Sequence, residues 1–112
     1  MKIILASKSG VRKEILDKHN IENEVMVSNV DEDEIKDSLL GEGADPLSIS
    51  KNLAEIKSIK VSNKNPDRYV LGADSVISLN KKLINKPSSR EEAFNILKKL
   101  NNSKHYLISS VC

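Results

Sequence analysis

A carboxylate interrupts an apolar segment near the middle of the chain. Residues 69–79 are rich in aliphatic side chains that fit a buried strand, and Asp74 lies among them directly after Gly72 and Ala73. A buried carboxylate is costly unless a cation, hydrogen-bond donors or a metal compensates it. The segment therefore predicts either a catalytic or metal-binding Asp74, with two small residues leaving room for a close approach, or a strand that ends at Ala73 and a simple turn.

A second candidate site lies where the first predicted strand meets the first predicted helix. Ser7, Ser9 and Arg12 fall at this junction. Amide groups at a helix N-terminus, hydroxyls and a guanidinium all bind phosphate oxygens. The GxxxxGK[ST] pattern of a Walker loop is absent. The junction predicts either a phosphate site or a capped helix with a solvated arginine.

Other charged residues offer weaker signals. The acidic residues 31–34 could supply a ligand for a hard cation such as Mg²⁺, or form a solvated loop. Lys57 and Lys86 could meet phosphates as point charges, or lie on the surface as most lysines do. His19 and His105 have no second histidine or cysteine at metal-ligand spacing, which argues against zinc.

The order of predicted elements is strand, helix, strand, helix, two strands, helix, strand, which indicates an α/β fold with a mixed sheet flanked by helices. Residues 31–34 and the glycine-containing residues 41–44 are expected to be irregular. Apolar stripes are expected on the first helix at Val11, Ile15 and Leu16 and on the last helix at residues 93–100. The predicted strands are 2–6, 22–30, 69–79, 83–84 and 105–111, and the predicted helices are 11–18, 46–61 and one that begins at the Ser89–Glu92 capping box.

Composition limits the classes of function. The chain has 112 residues, enough for a single domain, and its net charge of +2 is too small to predict general nucleic-acid binding. The lone Cys112 excludes an internal disulfide and agrees with a cytoplasmic protein. No apolar run approaches the roughly 20 residues that span a membrane. The apolar run that ends at Cys112 predicts a C-terminally truncated domain, because domains seldom end on an exposed hydrophobic strand.

Six short motifs occur in order along the chain: Leu5-Ala6-Ser7-Lys8-Ser9-Gly10-Val11-Arg12, Val30-Asp31-Glu32, Leu53-Ala54-Glu55-Ile56-Lys57, Gly72-Ala73-Asp74, Lys86-Pro87 and Glu92-Ala93 through Leu97. Together they resemble the Maf family of nucleoside triphosphate pyrophosphatases. A histidine after the following turn, His105, also matches. Three positions depart from the family pattern: Gly10 replaces proline, and Val11 and Ser75 replace the residues tied in the family to substrate choice.

The resemblance implies metal-dependent hydrolysis of the bond between the α and β phosphates of a noncanonical or modified nucleotide, a house-cleaning role. Glu32 and Asp74 would hold Mg²⁺ or Mn²⁺, with Asp74 as the general base. It also implies a two-lobed fold around a central cleft, in some members a homodimer. The residues implied to bind and orient the triphosphate are Ser7, Ser9, Arg12, Lys57 and Lys86.

Substrate identity does not follow from the resemblance. Because Val11 and Ser75 match neither subgroup, neither the dTTP/UTP nor the 7-methyl-GTP preference carries over. Two other hypotheses stay open: a truncated, inactive fragment that binds a nucleotide or phosphate, and a small α/β domain without phosphate chemistry.

Overall fold

The computed structural model describes residues 1–84, 89–101 and 104–112, which form four helices and five strands. The predicted α/β fold with a mixed sheet is confirmed. In chain order the elements are β1 (Ile3–Ala6), α1 (Gly10–Lys18), β2 (Asn23–Val25), α2 (Glu32–Gly41), α3 (Pro46–Lys64), β3 (Val70–Leu79), β4 (Lys82–Ile84), α4 (Arg90–Leu100) and β5 (His105–Val111).

The core forms where α3 packs against β1 and β3. Helix α3 begins as predicted, with the Asp45 side chain accepting a hydrogen bond from Ser48 N and with Pro46 in the first turn. Its buried face places aliphatic side chains against the strands. The buried apolar residues are Ile4, Leu5 and Ala6 from β1, Ile49, Leu53, Ala54 and Val61 from α3, and Ala73 and Val76 from β3.

Strand β3 is paired continuously along one edge and interrupted along the other. Both β4 and β5 pair with residues 77–79, so they lie on opposite edges of β3. Gly72 pairs with Ala6 of β1 and exchanges two hydrogen bonds with Cys112, so β1 and the β5 end also lie on opposite edges. Strands β1 and β4 therefore share one edge, and residues 73–76 form a gap between them. We call this segment the β3 gap.

Helix α3 contacts β3 most closely at Gly72. A Cβ placed on Gly72 would overlap Ala54 O and lie 2.8 Å from Ser58 N and Ser58 Cβ. Gly72, two positions before Asp74, thus leaves the space that helix α3 occupies. The prediction of a close approach to the backbone is confirmed, and its partner is α3.

The acidic residues 31–34 begin a helix, so their prediction as an irregular segment is wrong. The Asp31 side chain accepts a hydrogen bond from Glu34 N, and three acidic residues in the first turn of α2 face the positive end of the helix dipole. The helix extends to Gly41, which was expected to lie in a loop. Strand β2 is correspondingly shorter than predicted and ends at Val25.

Replacing Asp31 with alanine should lower the free energy of unfolding by about 1 kcal/mol, because α2 loses its N-cap. Asp33→Ala is the matched control, since Asp33 lies in the same turn and is exposed. Urea unfolding of both variants measures the difference. Equal losses for the two variants would contradict a capping role for Asp31.

The predicted apolar stripes on α1 and α4 are only partly buried. Val11 and Ile15 are 66% and 52% exposed, and Leu97 of α4 is 65% exposed. In the described ranges, neither helix contains a buried residue. The core of this chain is therefore built by α3 and the strands, and the two helices lie at its periphery. Among the described residues, no helix is long and apolar enough to cross a membrane.

Candidate active site

A cavity of about 580 Å³ opens where β1 ends and α1 and α2 begin. Parallel strands present their carboxyl ends at one edge of a sheet, which is a common location for ligand sites in α/β proteins. The side chains that line the cavity carry both positive and negative charge. They include Ser7, Ser9, Arg12, Glu32 and Lys57.

The Arg12 guanidinium donates hydrogen bonds to three acceptors. Its Nη1 donates to Ser7 Oγ at 2.7 Å and to Ala73 O at 3.2 Å, and its Nη2 donates to Ser75 Oγ at 3.1 Å. Ser9 caps α1 by accepting from Arg12 N at 3.3 Å, and Ser9 N donates to Ser7 Oγ. The β1–α1 junction thus fixes the position of a cation at the cavity wall.

The Lys57 ammonium lies between two carboxylates. Its Nζ is 2.5 Å from Glu32 Oε1 and 3.2 Å from Asp74 Oδ1, and it also donates to Ala73 O at 3.4 Å. Lys57 is only 7% exposed, so the charge–charge contacts are weakly screened by water. Helix α3 supplies the lysine, and the first turn of α2 supplies Glu32.

The carbonyl oxygen of Ala73 is a hydrogen-bond acceptor that two positively charged side chains share. It accepts from both Arg12 and Lys57, and Ala73 is the first residue of the β3 gap. Where a neighbouring strand is missing, a backbone carbonyl needs another donor. The interruption of pairing in β3 therefore creates the acceptor on which the two positive side chains converge.

Asp74 is buried in the middle of β3, so the alternative that it lies in a turn is wrong. It is 5% exposed and pairs with Ser110 of β5. Its Oδ2 is buried and has no hydrogen-bond partner among the described residues. Burial raises the pKa of the Asp74 carboxyl, and the charge of Glu32 raises it further, while the Lys57 ammonium lowers it only in part.

Comparison with known proteins identifies the family. The model of the family described as Maf-like protein matches residues 2–112. The chain belongs to the Maf family. The resemblance inferred from the six motifs is confirmed.

Curated relatives carry several activity names. The chain is 61% identical to a nucleoside triphosphate pyrophosphatase of Pelagibacter ubique (strain HTCC1062), over 98% of this chain and 56% of the relative. It is 37% identical to a 7-methyl-GTP pyrophosphatase of Brucella abortus (99% and 56% covered) and 36% identical to a dTTP/UTP pyrophosphatase of Aquifex aeolicus (100% and 55%). The chain spans about half the length of these curated relatives.

The carboxylates of this Maf-family chain suit a divalent metal that is partly coordinated by substrate. Glu32 Oε1 and Asp74 Oδ1 are hard oxygen atoms that both contact Lys57 Nζ, and Asp74 Oδ2 is a buried acceptor with no partner among the described residues. In the described ranges, no group of three or more His, Cys, Asp or Glu residues could hold a metal. Two carboxylates are nevertheless enough for Mg²⁺, which commonly takes its remaining ligands from water and substrate phosphates. The donor set fits.

The structure brings together seven of the predicted site residues and places two others, Val11 and His105, apart from them. Val11 lies on the exposed side of α1, next to Arg12 in sequence. His105 pairs with Leu79, five positions along β3 from Asp74, and Lys86 lies outside the described residues. The residues that cluster are Ser7, Ser9, Arg12, Glu32, Lys57, Asp74 and Ser75.

Three serines at the site escaped sequence analysis. Ser50 Oγ donates to Asp74 O at 3.2 Å and lies 2.9 Å from Ser110 Oγ. Ser109 Oγ lies 2.8 Å from Ser75 Oγ, across the β3–β5 ladder. The Ser109–Ser110 pair occurs in a strand that was predicted, but only the register of β5 against β3 reveals that it flanks Asp74 and Ser75.

Proposed function

We propose that this chain carries phosphate-binding and catalytic groups of a nucleoside triphosphate pyrophosphatase. The observation that carries the proposal is the convergence of Arg12 and Lys57 on Ala73 O, beside the buried Asp74 and at a cavity large enough for a phosphate chain. The names of the relatives at 61%, 37% and 36% identity support this reaction class. The products would be a nucleoside monophosphate and pyrophosphate.

The positive side of the cavity would bind the triphosphate. The Arg12 guanidinium is already oriented by Ser7 and Ser75, so little side-chain entropy is lost when it binds phosphate oxygens. The first amides of α1 and the hydroxyls of Ser7 and Ser9 are placed to add neutral donors. Lys86 would contribute a further positive charge. In phosphoryl transfer such positioning and charge neutralisation supply most of the catalysis.

Asp74 would act as the general base. A water oxygen attacks the α-phosphorus, pyrophosphate leaves with the bonding electrons, and the water proton passes to the Asp74 carboxylate. The raised pKa of Asp74 suits a carboxylate that must accept a proton near neutral pH. Glu32 and Asp74 would also hold Mg²⁺ or Mn²⁺, which would supply charge stabilisation at the phosphates.

The preferred nucleotide is not assigned. The relatives named above act, by name, on different nucleotides. Ser75 is placed to affect this choice because it contacts the Arg12 guanidinium, and Val11 precedes Arg12 on the exposed side of α1. Cytoplasmic location, a homodimer and a house-cleaning role remain predictions.

Pyrophosphate release from a panel of nucleoside triphosphates, with Mg²⁺ or Mn²⁺, tests the proposed activity. Arg12→Lys should lower kcat/KM by about 10²-fold, because a lysine cannot reproduce the paired contacts of the guanidinium. Arg68→Lys is the matched control, since the described hydrogen bonds and ion pair of the Arg68 guanidinium are with Lys2 O and Glu24, away from the cavity. The activity of this variant should stay within about two-fold of the original chain.

A second candidate function is phosphate binding without turnover, which the oriented Arg12 guanidinium at the cavity wall would by itself support. Calorimetry with inorganic tripolyphosphate separates the two. Binding that depends on Arg12, with no pyrophosphate release from any nucleotide, would support the binding function. Absence of both would contradict both proposals.

A further inference from the structure

The hydrogen bonds of Lys57 leave its ammonium fully occupied within the protein. An ammonium has three N–H donors, and Lys57 Nζ has three acceptors: Glu32 Oε1, Asp74 Oδ1 and Ala73 O. None of its protons remains for a substrate phosphate. The lysine therefore cannot keep these contacts and donate its protons to a triphosphate at the same time.

The ammonium also lies between the two side chains that fit a divalent cation. Both carboxylates contact Lys57 Nζ, and Asp74 Oδ2 remains buried without a partner among the described residues. One positive charge between two carboxylates leaves the cluster with a net charge of −1. A dication held by the same carboxylates would compete with Lys57 for them, because like charges repel strongly in a buried site.

The cavity offers the Lys57 ammonium an alternative position. Lys57, Glu32 and Arg12 line the same cavity, so an extended lysine side chain can turn toward the cavity without a backbone change. A triphosphate in the cavity would compensate the ammonium there, and the metal would compensate the carboxylates. The total charge of the site then changes little as substrate binds.

We propose that the Lys57 ammonium is an exchangeable counter-ion: it neutralises Glu32 and Asp74 before a divalent cation binds, and moves to a substrate phosphate when the cation takes its place. This inference rests on the proposed function for the nature of the substrate. Its first half, competition between Lys57 and a metal for the same carboxylates, requires no turnover.

Mn²⁺ titration of the nucleotide-free chain by calorimetry tests the competition. Lys57→Met should bind Mn²⁺ at least about ten-fold more tightly than the original chain, because both carboxylates lose their competitor. Lys36→Met is the matched control. Lys36 acts on Asp74 through its positive charge, whereas Lys57 lies directly between the two carboxylates. Its removal should raise the affinity much less, and adding Asp74→Asn to Lys57→Met should abolish the gain.

Equal or weaker Mn²⁺ binding by Lys57→Met would overturn the inference, and so would a gain equal to that of Lys36→Met. If Lys57→Met does not fold without metal, a proton-exchange experiment on the original chain tests the inference instead. With ¹⁵N-labelled lysine, the Lys57 ammonium protons should be protected from exchange with water in metal-free protein and should lose this protection at saturating Mg²⁺. Unchanged protection would overturn the exchange.

These outcomes are independent of the proposed activity. Pyrophosphate release by the original chain, without tighter Mn²⁺ binding by Lys57→Met, would leave the function standing and remove the counter-ion role. Tighter Mn²⁺ binding by Lys57→Met without any pyrophosphate release would support the counter-ion role and contradict the proposed activity.

Discussion

Asp74→Asn should abolish pyrophosphate release and at the same time stabilise the metal-free chain. An amide cannot accept the proton of the attacking water, so we expect kcat to fall by about 10²–10⁴-fold, the usual contribution of a general base. The raised pKa of Asp74 means that its charged form is disfavoured in the folded state relative to the unfolded state. Removing that charge should therefore raise Tm at neutral pH, where each 1 kcal/mol corresponds to about 4–8 °C for a domain of this size.

The pH dependence of this stabilisation follows from the sign of the pKa shift. Between the ordinary pKa of 3.8 and the raised pKa in the folded state, the folded chain binds more protons than the unfolded chain, so stability falls as pH rises through this window. Asp74→Asn lacks this contribution. The Tm difference between the variant and the original chain should be small near pH 4 and grow to a plateau above the folded-state pKa.

Asp67→Asn provides the control for a change of net charge, because Asp67 lies in the exposed loop before β3. Its Tm and activity should match those of the original chain. Retained activity in Asp74→Asn would remove Asp74 from the reaction. A Tm lowered at pH 7 would show that its contact with Lys57 outweighs the cost of burial.

Gly72→Ala should destabilise the chain more than the same substitution at any of its other glycines. The new Cβ would overlap Ala54 O and lie 2.8 Å from Ser58 N, both of which are backbone atoms of α3 that cannot rotate away. Moving α3 from β3 would open the core and separate Lys57 from Asp74. We expect a loss of about 3 kcal/mol or more, at the upper end of the cost of overpacking, and a Tm at least about 10 °C lower.

Gly41→Ala is the matched control, because a Cβ at this position meets nothing within 4 Å and Gly41 ends α2 in a helical conformation. This variant should be neutral or more stable by about 0.5–1 kcal/mol, since alanine favours a helix. Thermal unfolding of both variants measures the contrast. Similar Tm values for the two would show that β3 and α3 can separate at little cost.

Strands and helices with strong local signals could be predicted from the sequence. Ser89 caps α4 as the predicted capping box requires, and Ser9 and Asp45 cap α1 and α3, because a cap depends on residues only three positions apart. Helix α2 was missed although Asp31 is a good N-cap. Four consecutive acids favour a solvated loop when their helical partners are not considered, whereas three of them stabilise the first turn through the dipole.

The site itself was predicted in composition but not in its connections. The positions of Arg12, Lys57 and Asp74 within family motifs predict them as functional residues, and the structure brings their side chains close together. The contact of Lys57 with Glu32, the shared Ala73 carbonyl and the Ser75–Ser109 pair depend on which strands flank β3 and in what register. Residues far apart in sequence create these contacts, so no local pattern encodes them. The degree of burial of the α1 and α4 stripes could not be predicted for a similar reason, because an apolar stripe shows a capacity to pack but does not supply a partner.

The β3 gap connects the two cations through a main-chain atom and not through a side chain. Arg12 and Lys57 are tied together by a main-chain oxygen, which any residue type at position 73 would supply. The spacing of the two cations is thus set by where β1 ends and β4 begins, a property of strand length. A substitution of Ala73 that the packing tolerates would leave this main-chain acceptor in place, whereas Asp74 and Ser75 of the same segment contribute through their side chains.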